Sequence, residues 1–132
     1  MDIGERTKGK IIVMDDEAMV RDILSEMLDI LGYEAESAEE GQRAIDLFLR
    51  AKDSGEPVLA LILDLSVPGG LGGMEATKKI LEIDPSAKVI VSSGHTGAYE
   101  VKDYRAHGFA GAVMKPYDLD GLKQTLDEVI GD

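Results

Sequence analysis

The sequence predicts a single α/β domain, a doubly wound parallel sheet of five strands with helices on both faces. Three observations lead there. Five segments of strand length, four of them apolar runs, alternate with stretches whose apolar residues recur at helical spacing. One of these runs, VLALILDL at residues 58–65, is apolar almost without interruption, which is how a strand covered on both faces reads. The length of 132 residues suits one domain around one core.

Taken in order, residues 1–9 are polar with two glycines and read as a flexible lead-in or linker, so the domain is expected over residues 10–131. KIIVMDD is a strand closed by acids, too brief for a helix. From Ala18 onward Val20, Ile23, Leu24, Met27, Leu28 and Leu31 fall at helical spacing, and Gly32 stands where a helix-ending glycine belongs. YEAES, residues 33–37, is a short second strand. Ser37 followed by Glu40 has capping-box spacing and is expected to open a helix through Ala44, Ile45 and Phe48, broken by Asp53, Ser54, Gly55 and Pro57. VLALILDL is the third strand. A helix over Met74–Ile83 stops at Asp84 and Pro85. KVIVSS and GFAGAVM are the fourth and fifth strands, separated by a weakly apolar helix over 97–107 that is expected to be mobile. Asp118 caps a last helix carrying Leu119, Leu122, Leu126 and Val129.

Composition narrows the function. With 44% hydrophobic but only 5% aromatic residues, the core is expected to be aliphatic. The absence of cysteine excludes disulfides, thiolate metal sites and cysteine nucleophiles. A formal charge of −12 argues against nucleic acid as a partner and favours cations and basic surfaces. No apolar run approaches the roughly 18 residues of a membrane span, and MDIGERTKGK lacks the apolar core of a signal peptide. A cytoplasmic domain without membrane contact is therefore expected.

Parallel sheets of this kind bind ligands beyond the carboxyl ends of their strands. The unusual polar residues of this chain stand at those ends: Asp15 and Asp16 after the first strand, Asp64 on the third, Ser92 and Ser93 on the fourth, Lys115 after the fifth. Each has an ordinary reading alone, as a helix cap, a turn residue or a solvated charge, and Pro116 as a helix starter. Together they are less ordinary, because topology brings three carboxylates and one ammonium to one place. Two like charges about 4 Å apart repel by about 4 kcal/mol at an effective dielectric near 20. A hard divalent cation relieves that repulsion, and Mg²⁺ prefers carboxylate and carbonyl oxygens with retained waters. A nucleophilic carboxylate, a metal, a hydroxyl donor and an ammonium make a small phosphoryl-transfer site. No phosphate-cradling Walker loop is present, so the substrate is expected to bring its own activated phosphoryl group.

Asp15-Asp16, Asp64, Ser93 and Lys115-Pro116, in this order and at these strand ends, resemble the receiver (response-regulator) domain of two-component signalling. The resemblance spans about residues 9–131. It implies a flavodoxin-like (βα)5 fold with strand order 2-1-3-4-5. It also implies Mg²⁺-dependent phosphotransfer onto Asp64 from the phosphohistidine of a histidine kinase or histidine phosphotransfer domain, and self-catalysed dephosphorylation. By the same resemblance Asp16, Asp64 and the backbone carbonyl of Ser66 ligate Mg²⁺, Asp15 acts mainly through water, and Ser93 and Lys115 bind phosphoryl oxygens. Phosphorylation would then switch the face formed by the fourth and fifth helices; whether it promotes a homodimer is left open. The loops PGGLGG and VSSGH resemble receivers appended to hybrid sensor histidine kinases, and the polar lead-in fits a piece of one. One position departs from the family. Many members carry Tyr or Phe three residues before the lysine, where this chain has Ala112, with Phe109 and Tyr117 nearby but out of register. The switch is therefore expected to appear as movement of the loop at 94–98 and the helix after it, unless an aromatic such as Tyr104 substitutes.

Rival readings meet specific residues. A flavodoxin-like electron carrier needs a phosphate-binding loop after the first strand, where DDEAM would repel phosphate. A haloacid-dehalogenase-type phosphatase needs an acid two positions after its nucleophile, where this chain has Ser66. A degenerate receiver that only binds proteins would not need its acids, Ser93 and Lys115 intact.

Overall fold

A computed structural model describes residues 7–65, 70–93 and 104–131. The elements are β1 (Lys10–Met14), α1 (Ala18–Leu31), β2 (Glu34–Ala38), α2 (Gly41–Asp53), β3 (Val58–Asp64), α3 (Gly73–Ile83), β4 (Val89–Ser93), β5 (Gly111–Met114) and α4 (Leu119–Ile130). All strand pairings are parallel, in the order β2-β1-β3-β4-β5. This is the predicted doubly wound sheet.

The two-residue period of the strands divides the core into two layers. Ile12, Met14, Leu61, Leu63, Val89 and Val91 point to one face, where Ala44, Ile45, Leu47 and Phe48 of α2 and Ala76 and Ile80 of α3 cover them. Ile11, Val13, Ala60, Ile62, Ile90 and Val113 point to the other, beneath Leu24 and Leu28 of α1 and Leu122, Leu126 and Val129 of α4. Both faces of β3 are therefore dry, which is why its sequence shows no alternation. Each fully buried Leu or Ile contributes about 1.5–3 kcal/mol.

Helix ends follow local chemistry. Gly32 closes α1 at φ 98°, a left-handed conformation open to glycine, and its N–H reaches the carbonyls of Asp29 and Leu28. The Asp118 carboxylate accepts from Gly121 N–H at 2.6 Å and starts α4 as expected.

Three expectations need correction. Ser37 does not cap α2. It pairs with Val13 inside β2, because Ala38 continues the ladder opposite Met14 and carries Ser37 with it. Glu40 itself is the cap, accepting from Gln42 N–H at 2.9 Å and Arg43 N–H at 3.0 Å. The fifth strand begins at Gly111 rather than Gly108, since Gly108 has φ 92° and Phe109 N–H turns back to the Tyr104 carbonyl. Of the helix expected over 97–107, residues 104–107 form a short 3-10 turn, and the remainder, with the loop at 94–98, lies outside the described residues. Lys8 and Gly9 are joined to the domain, through Lys8 N–H to Gly32 O at 2.8 Å and Glu34 N–H to Gly9 O at 2.9 Å.

Candidate functional site

The carboxyl ends of β1, β3 and β5 deliver the site. Asp15 follows β1 directly and is 2% exposed. Its backbone and side chain are fixed separately. Asp15 N–H donates to Ala38 O at 3.1 Å, while its carbonyl accepts from Arg21 Nη1 at 2.7 Å. Oδ1 accepts from Glu17 N–H at 2.9 Å, which turns the chain into α1 and leaves Oδ2 aimed inward. Asp64, the last residue of β3, is 6% exposed and stands in register with Ser92.

Lys115 joins them. Its Nζ lies 2.7 Å from Asp15 Oδ2 and 3.5 Å from Asp64 Oδ2. Among the described residues the ammonium is the charge that faces Asp15 Oδ2, and the contact is an ion pair rather than an aligned hydrogen bond. Burial disfavours the charged lysine, but the neighbouring Asp15 and Asp64 carboxylates outweigh burial and raise its pKa. The ammonium therefore stays charged.

Asp15, Asp16 and Glu17 can each present an oxygen within 4.8 Å of the others, the first buried and the other two exposed. Hard carboxylate oxygens converging at this spacing suit a hard divalent cation, and their mutual repulsion favours one. Glu17 was not anticipated by the sequence reading; its signal was adjacency to the Asp15-Asp16 pair.

The remaining predicted residues stand as follows. Ser93 is placed by its backbone as the last residue of β4, in register with Met114. Ser66 lies outside the described residues. Pro116 follows Lys115 through a cis peptide bond. Ala112 is half-buried, its carbonyl accepting from Thr125 Oγ1 at 3.4 Å, and it packs with Tyr104 against the core layer under α2 and α3.

Two arrangements next to the site were not legible in the sequence. The Ser92 hydroxyl bonds the phenol of Tyr117. The Glu40 carboxylate, besides capping α2, accepts from Leu71 N–H at 3.3 Å, and Gly41 N–H donates to Leu71 O at 2.6 Å. The start of α2 thus grips the loop that leads from Asp64 to α3. Closeness explains two glycines: a Cβ on Gly73 would sit 2.4 Å from the Asp64 carbonyl oxygen, and one on Gly41 2.6 Å from that of Leu71.

Comparison with known proteins identifies the family and the fold. A family model described as the response regulator receiver domain matches residues 11–127. The chain is 26% identical over 121 residues to sporulation initiation phosphotransferase F of Bacillus subtilis, covering 92% of this chain and 93% of that protein. It is 29% identical over 116 residues to the sensor histidine kinase RcsC of Salmonella typhi, covering 88% of this chain and 12% of the kinase. A response regulator receiver domain protein from Clostridium thermocellum matches with a TM-score of 0.82 at 25% identity, over 93% of this chain and 94% of that one. A response regulator protein from Thermotoga maritima in complex with Mg(2+)-BeF matches at 0.77 with 28% identity, over 92% and 98%.

Proposed function

The chain belongs to the response regulator receiver domain family of two-component signalling, and we propose on that premise that Asp64 is its phosphoacceptor. One observation carries the assignment: the Lys115 ammonium faces Asp64 at 3.5 Å while held by the buried Asp15 at 2.7 Å. Receiver domains bind Mg²⁺ at an acidic phosphorylation site and interact with histidine kinases or phosphotransfer partners. In this chain Asp15, Asp16 and Asp64, with the Ser66 carbonyl, would hold the ion, whose bound charge offsets carboxylate repulsion and the charge on phosphoryl oxygens.

The chain's own groups do the rest. An Asp64 carboxylate oxygen attacks phosphorus as the bond from phosphorus to the donor's imidazole nitrogen breaks, and the histidine leaves with that electron pair. Lys115 shifts from Asp15 toward the incoming phosphoryl oxygens, a charge-assisted contact stronger than a neutral one. Ser93 supplies a hydroxyl donor to the same group. Asp15, released by Lys115, is left to the metal side of the site. The response then passes to the segment after β4 and to α4, with Ala112 in place of a rotating ring.

Intact-mass measurement after incubation with acetyl phosphate and Mg²⁺ tests this. The wild-type chain is expected to gain one phosphoryl group, lost on mild base treatment, and Asp64→Ala to gain none. Undiminished labelling of Asp64→Ala would sink the assignment. A wild type that takes no label would favour a receiver acting only through protein contacts.

A further inference from the structure

Ser92, which the chemistry above does not use, is among the buried polar residues of the chain. Ser92 is 1% exposed, and its hydroxyl meets the Tyr117 phenol, hydroxyl to hydroxyl. A buried hydroxyl needs such a partner, because leaving it unpaired costs its full desolvation. The pairing joins β4 to the short segment between β5 and α4, and that segment carries Lys115. Its tethers are regular. Met114 is in register with Ser93, and Tyr117 is bonded to Ser92. Lys115 and Pro116 are therefore bracketed by two consecutive residues of β4. Ser92 is itself in register with Asp64, and its carbonyl accepts Leu65 N–H at 3.2 Å. A short chain of contacts thus leads from Asp64 through Ser92 and Tyr117 to the backbone of Lys115.

The Tyr117 ring packs into the core layer beneath α1 and α4, which fixes where its hydroxyl points. Burial raises the phenol pKa, so the group is neutral and can both donate and accept. Ala112, with no side chain beyond Cβ, offers no second polar brace on β5.

We propose that the Ser92–Tyr117 hydroxyl pair is a positioning device for Lys115, setting where its ammonium stands relative to Asp64 during phosphoryl transfer. The proposal rests on the roles of Asp64 and Lys115 given above. Ser92 and Tyr117 are given no part in bond making. Each acts through the lysine.

The test measures the rate of Mg²⁺-dependent phosphorylation by acetyl phosphate in folded protein, with thermal melts fixing the folded fraction of each variant. Tyr117→Phe keeps the ring and removes the hydroxyl; Ser92→Ala removes its partner. Each is expected to slow labelling roughly ten- to a hundredfold, the range for a misplaced catalytic group. Ser92→Thr keeps a hydroxyl and is expected to restore most of the rate. In a Lys115→Ala background, where there is no ammonium to place, Tyr117→Phe is expected to cause no further loss, the signature of coupled residues. A purely structural role would slow both backgrounds by the same factor, and that result would overturn the proposal. So would a Tyr117→Phe chain that labels at the wild-type rate. If the wild-type chain itself takes no label on Asp64, the phosphoacceptor assignment fails, and the proposal with it.

Discussion

Lys115 holds two buried carboxylates together, Asp15 at 2.7 Å and Asp64 at 3.5 Å, which would otherwise repel. A bound divalent cation would do the same work from the other side, so ammonium and metal are partly interchangeable as neutralisers. Replacing Lys115 by Met removes the ammonium that faces both carboxylates and is expected to cost roughly 1–3 kcal/mol without metal. The rise in melting temperature on adding Mg²⁺ is then expected to be larger in Lys115→Met than in the wild type, and smaller in Asp16→Ala. Equal increments in all three chains would show that lysine and metal do not share these carboxylates. Asp15, Asp64 and Lys115 were legible in the sequence because each ends or follows an apolar run, a position that only a paired charge tolerates. Tyr117 was not. Register with Lys115 suggested an aromatic out of place, and nothing in the chain order tells that its hydroxyl meets Ser92 across the sheet.

Elements converge on the loop between β3 and α3. Gly73 lies so close that a Cβ there would stand 2.4 Å from the Asp64 carbonyl oxygen, and that neighbour is backbone rather than a side chain able to swing away. Gly73→Ala is accordingly expected to cost about 1–3 kcal/mol by overpacking and to lower the phosphorylation rate by shifting Asp64. Urea denaturation alongside labelling checks both; a variant as stable and as active as the wild type would mean the loop has room to move. PGGLGG shows a run of glycines, but not that Gly73 stands against the Asp64 carbonyl. The cap of α2 departs from the sequence pattern for a related reason. Ser37 has the better intrinsic capping chemistry, yet β2 pairs through Ala38 and takes Ser37 into the sheet, so Glu40 caps the helix and also binds Leu71. Strand pairing between distant segments outweighed a local preference. Elsewhere periodicity sufficed, as in α1, whose last turn and Gly32 follow from spacing alone.

The sheet buries both faces, so ionisable groups are left to its two ends. At the amino end Lys10, 9% exposed, sits 2.9 Å from both Glu36 and Glu56, and at the carboxyl end lie the acids of the site. Strand order and layering were readable because an unbroken apolar strand can only stand inside a sheet clothed on both sides. The net charge of −12, which a single divalent ion does not cancel, also governs who can arrive. It extends a negative field into the surrounding water, over a Debye length of about 8 Å at physiological ionic strength. A small anionic phosphodonor climbs that field, whereas a protein donor with a basic approach surface descends it. Raising monovalent salt at saturating Mg²⁺ is therefore expected to quicken labelling by acetyl phosphate and to slow the encounter with such a partner. Rates that respond to salt in the same direction for both donors would refute this account. On it, the acidic surplus of the chain acts as a gate on diffusion, favouring a macromolecular donor over the free phosphate esters of its surroundings before any contact is made.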